Sequence, residues 1–165
     1  MDQEKNNRIA AVASYTAGQA VACELLGFGK IKKLCLVQDG LEIESVWEAQ
    51  VVDLSALPLL EQLEKTVQFK VAGRVAQEIL LGKDFESTDG ITGEEDCEFC
   101  VEAVRNYLSL GFEAPDSFID DQTEKIRALL IKPDALARLQ YIAQQLREKI
   151  HYKNGPHLKI VKKSQ

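Results

Sequence analysis

From position 7 the chain turns apolar and stays so on most sides. NRIAAVASYTAGQAVACELL, residues 7–26, is rich in alanine, valine and leucine with few polar breaks. That predicts a helix buried on more than one face, ended by Gly27 or Gly29. The period then changes. In KIKKLCLVQDG, Leu34 and Leu36 alternate with Cys35 and Val37, and the run stops at Asp39 and Gly40, a pair suited to a tight hairpin turn. LEIESVW alternates again, with Leu41, Ile43 and Trp47 on one side. A small sheet is expected directly after the first helix.

Residues 55–82 return to helical spacing, as one long helix or two in tandem. Ser55 is the expected cap, Pro58 suits the first turn, and Gly82 ends the run. KDFESTDGITG reads as loop, after which Thr92 and Glu95 have the spacing of a capping box for a helix reaching to about Gly111. Two more helices are expected over 116–131 and 133–152, divided at Lys132 and Pro133. HLKIV, in the basic tail, has the composition of an edge strand. The fold class is mainly α, with a small sheet (α+β). Residues 1–152 form one domain and 153–165 a loose basic tail.

Composition narrows the function classes. The 165-residue chain carries a net charge of -6 and a pI near 5.0, which argues against a general nucleic-acid binder. No apolar run reaches the roughly 18 residues of a membrane-spanning helix. The polar start, MDQEKNNR, is not that of a signal peptide. A cytoplasmic location, or the equivalent organelle interior, is expected, with Cys23, Cys35, Cys97 and Cys100 reduced. No P-loop occurs, so no ATP site is expected.

Four segments, in order, carry a family resemblance. VASYTAGQAV, from Val12, is similar to a V-A-x-H-E-A-G-H-A helix; KKLCLVQDG, from Lys32, to the strand that follows it. VAGRVAQEILLG, from Val71, is close to L-A-G-R-x-A-E-E; STDGITGEEDCEFCVEAV, from Ser87, is similar to S-T-G-A-x-N-D. Together, over residues 8–112, they resemble the peptidase domain of the FtsH family of AAA-linked zinc metalloproteases. The resemblance implies an FtsH peptidase-like helical fold. It also implies protein partners: active FtsH-type subunits, or further copies of itself, since the family assembles as hexameric rings.

The departures from the motif bear on the chemistry. In a working H-E-x-x-H helix, two histidines at i and i+4 hold zinc and the glutamate activates a water. Here Tyr15, Thr16 and Gln19 stand at those three places. A phenol of pKa near 10 and an amide carbonyl are poor ligands at neutral pH, and threonine is no base. The third ligand implied by the resemblance is Asp96, or Glu95 if the helix is counted back from Gly111. Loss of zinc, and a catalytically inactive pseudo-protease acting through protein–protein interaction, are therefore expected. An alternative retains an altered metal or thiol site built from Cys23, Cys97, Cys100 and Asp96, although buried cysteine ordinarily behaves as a small hydrophobe. Trp47 reads as packed in the core or against the first helix in preference to a peptide anchor, and Arg74 as an i,i+4 partner of a carboxylate such as Glu78.

Overall fold

A computed structural model describes residues 2–40, 42–82, 94–108 and 115–153 of the chain. Helix α1, Asp2–Leu25, begins at Asp2 and not at 7. Its polar first turns are supported along the helix by Gln3 donating to Asn7 at 3.1 Å and Arg8 to Glu4 at 3.4 Å. The end is specified by Gly27, whose φ of 74° suits a residue without Cβ. There the Phe28 N–H donates to the Cys23 carbonyl and the Gly27 N–H to that of Glu24. This pairing of bonds satisfies the last free carbonyls of the helix.

The hairpin follows as expected. Strand β1, Gly29–Asp39, pairs antiparallel with β2, Glu42–Val51, and Asp39 lies opposite Glu42 across the turn at Gly40. The register slips between Ile31 and Lys33, leaving Lys32 as a bulge. Leu36 is fully buried, while Leu34 and Ile43 pack at the margin of the core. A third strand, β3, His151–Tyr152, lies parallel to β1 opposite Val37 and Gln38, giving the order β2-β1-β3. The helix expected over 133–152 therefore stops short and the chain re-enters the sheet. HLKIV, Leu41, Thr92 and Gly111 lie outside the described residues.

Helix α2, Leu59–Leu81, is continuous. Ser55 does not cap it. The Ser55 N–H donates instead to the Asp53 carboxylate at 2.9 Å, and Pro58 occupies the cap position without a side-chain bond. Helices α3, Glu94–Leu108, α4, Pro115–Leu130, and α5, Pro133–Glu148, follow, with Pro133 starting α5 as predicted. The molecule is mainly helical, with five helices among the described residues and a three-stranded sheet.

Helix α1 is the hub, packed against α2, α5 and the sheet. Buried Ala13, Ala17, Val21 and Leu36 meet Val67 and Val75 of α2 and Leu139 of α5 in one apolar cluster. Polar links fix the helix pairs. Gln68 donates to Gln122 at 2.7 Å between α2 and α4, and Arg138 of α5 grips both oxygens of Glu24 at 2.7 Å. Trp47 is not part of this core. It sits half-buried on β2, its indole N–H donating to the Ser45 hydroxyl at 3.0 Å. The reason is position: β2 is an outer strand of the sheet, with no strand on its far side among the described residues.

Candidate functional site

The three motif positions on α1 lie against α2, which runs antiparallel to it. Contacts proceed in opposite directions along the two helices. The Gln77 amide donates to the Ala11 carbonyl at 3.0 Å, Tyr15 meets Gly73, Gly18 meets Ala72 and Ala76, and Lys65 donates to the Leu26 carbonyl at 3.1 Å. Two glycines lie at the contact. A Cβ on Gly18 would overlap Ala76 and the Ala72 backbone, and one on Gly73 would lie 2.7 Å from the Tyr15 ring. Each helix thus offers a glycine to the other: Gly18 admits the Ala72 backbone and the Ala76 methyl, and Gly73 admits the Tyr15 ring.

Tyr15 uses this approach, because its ring lies over the bare Cα of Gly73. Thr16 is 2% exposed and points inward, while Gln19, one turn beyond Tyr15, is half-buried. The structure therefore keeps Tyr15 and Gln19 on one helical face, as the i,i+4 spacing predicts. The side chains of Glu95, Asp96 and Cys97 lie outside the described residues.

The thiols do not form a cluster among the described residues. Cys23 is buried near the end of α1 with its sulfur 4.0 Å from the Gly29 carbonyl. Burial, aided by the charge of Glu24, pushes its pKa up, and burial does the same for Cys35. Both are held as neutral thiols, the unreactive form. Cys100 is fully buried on α3, which packs on α2 and α4, whereas Cys23 belongs to α1. Helices α2 and α4 are neighbours of both. No group of three potential metal-ligating side chains occurs among the described residues.

Other features were missed by the sequence reading. Glu78 does not serve Arg74 along its own helix; it meets Arg127 of α4 at 2.9 Å. Gln77, completely buried, reaches from α2 to the α1 backbone through its amide. Its only sequence signal is a polar residue inside an apolar run. Two concavities flank α5. One of about 380 Å³ lies between α1, β1 and α5, edged by Lys32, Lys149 and Tyr141. The other, of about 680 Å³, is lined by Asn6, Ser14, Leu80 and Arg147. Neither includes Tyr15, Thr16 or Gln19.

No helix among the described residues is long and apolar enough to cross a membrane. No protein-family model matches the sequence, and no curated protein matches it.

Proposed function

We propose that the chain is a catalytically inactive, FtsH peptidase-like domain, a pseudo-protease that works by binding other proteins in or around a protease assembly. The observation that carries this reading is the packing of Tyr15 on Gly73. At the position where the resembled motif has its first histidine, the side chain serves the joint between two helices.

Three further features support it. Thr16, at the place of the general base, is buried and has no basic group to offer. Gln77 stands at the first glutamate of the resembled A-E-E segment, and its amide donates to the Ala11 carbonyl. A carboxylate at that place would set negative charge against a carbonyl oxygen and could donate nothing while ionised. The donor set of Tyr15, Thr16 and Gln19 does not fit zinc, which takes thiolate, imidazole or carboxylate. No catalytic step is assigned to it. Further FtsH-type subunits or other copies of this chain are the proposed partners, in the cytoplasm or an organelle interior. The alternative thiol or Cys/Asp metal site is less favoured, because Cys23 is kept protonated by its surroundings.

The test is elemental analysis of the purified, untagged protein together with an unfolded-protein cleavage assay. Substoichiometric zinc and no cleavage are expected. A full equivalent of tightly held zinc, or chelator-sensitive proteolysis, overturns the reading.

A further inference from the structure

Strand β2 is an outer strand, and the direction of its free hydrogen-bonding groups follows from two bonds. The Gln38 carbonyl accepts from the Lys153 N–H on the β3 side, so the backbone groups of Gln38 point away from β2. Alternation carries this to Leu36 and Leu34, and through their partners to Ile43, Ser45 and Trp47, whose N–H and C=O groups therefore face outward. At the other end, the Val52 N–H donates inward to Phe28, which leaves Ala49 and Val51 facing outward too. Among the described residues nothing pairs with this edge. On the same strand, Val51 is 75% exposed, and Val52 beyond it 52%.

Unpaired outer strands invite a further strand, and the side chains of β2 specify which. Ile43, Ser45, Trp47, Ala49 and Val51 share the helix-facing side, and Glu42, Glu44, Val46, Glu48 and Gln50 the other. Consider a second β2 added antiparallel about a two-fold axis. Centring the axis on residue 44, 45, 46 or 48 sets glutamates directly opposite one another. Centring it on Trp47 sets none opposite. Glu44 then faces Gln50, Glu48 faces Val46, Ile43 faces Val51, Ser45 faces Ala49 and Trp47 faces itself. An axis at residue 49 also avoids like charges but leaves half of the strand unpaired.

We propose that β2 is a self-association edge, pairing with β2 of a second copy of this chain about a two-fold axis at Trp47, to make one six-stranded sheet. The half-buried tryptophan is then covered by its counterpart, and exposed Val51 by Ile43 of the second copy. The interface is isologous, so each cross-strand pair off the axis occurs twice. The glutamates of both copies gather on the far side of the joined sheet, so added salt tightens the dimer by screening them. The proposal stands on sheet geometry and does not depend on the pseudo-protease reading.

Sedimentation velocity on the full chain, over a concentration series, tests it. The expected result is a reversible monomer–dimer equilibrium shifted toward dimer by salt. Emission of the single tryptophan should move to shorter wavelength as dimer forms. Ser45→Pro removes an outward N–H without touching the bonds to β1, and should give a monomer with unchanged helical circular dichroism. If Ser45→Pro does not fold, Val51→Lys takes its place and should raise the dissociation constant roughly tenfold. A chain monomeric at every concentration, or a dimer indifferent to the folded variant, overturns the proposal.

Discussion

Between α1 and α2 there is no room for one more methyl group at Gly18, whereas along β2 nothing among the described residues limits what Val51 could become. The helix joint has used its glycines and alanines to bring two backbones together, and its residues are fixed by what they touch inside the chain. The strand edge keeps backbone groups and apolar side chains turned outward. Val51 and Val52, largely exposed, are not fixed by packing among the described residues. A residue at the joint reports on stability, and one at the edge reports on association.

The sharpest way to break the joint is Gly18→Ala. Its new Cβ meets Ala76 Cβ and the Ala72 backbone, neither of which is a flexible side-chain end. Helix propensity gains up to about 1 kcal/mol, but overpacking against backbone outweighs it, and a net loss of about 2 kcal/mol is expected in denaturant titration. Gly73→Ala sharpens the comparison. Its obstacle is a side chain, the Tyr15 ring, and no backbone, so the loss should be smaller, about 1 kcal/mol. Equal losses for the two variants would show that Tyr15 is as immovable as backbone.

Next in size is the buried amide pair between α2 and α4. Gln122→Leu leaves the Gln68 amide without its acceptor in a site only 8% exposed. A cost of about 1–3 kcal/mol follows from the unsatisfied donor, and replacing both glutamines by leucine should recover much of it. Thermal melts of the single and double variants check the sign.

The smallest effect belongs to the sheet's other side. Lys153 is raised above its ordinary pKa by the hydrogen bond and charge of Asp39, 3.1 Å away, with Glu44 and Glu42 adding to it. A raised lysine contributes stability that is complete below its unfolded pKa and is lost as pH rises through the folded one. Stability should therefore decline slightly above the ordinary lysine range, and Lys153→Met should flatten that decline. The pair is exposed, so the change is small.

Much of the fold was legible because local chemistry decided it. Gly27 ends α1, Gly40 turns the hairpin, Gly82 ends α2 and Pro133 opens α5, each for a reason carried by one residue type. What escaped was decided by distant parts. A two-residue strand at His151 has no periodicity to read, and exists because the chain leaving α5 passes beside β1. Ser55 is a cap type by sequence, but α2 begins four residues later at Leu59, behind Pro58. Trp47 is of a residue type common in cores but sits half-buried on an outer strand. At the candidate site, the substitution of Tyr15, Thr16 and Gln19 for the motif residues was plain from the letters. That the Tyr15 ring rests on Gly73 needed the approach of two helices far apart in sequence.

The central place of α1 has a kinetic consequence. Its apolar sides are covered by α2, the hairpin and α5, and its Glu24 is bound by Arg138, 114 positions later in the chain. During synthesis from the N-terminus, the hairpin and α2 can dock soon after they emerge, but the last side waits for α5. Until then α1 presents a bare alanine- and valine-rich flank, and the loop that must close is nearly the length of the domain. Folding is thus timed by the emergence of α5, and a chain cut before α5 would hold a half-covered helix prone to aggregation.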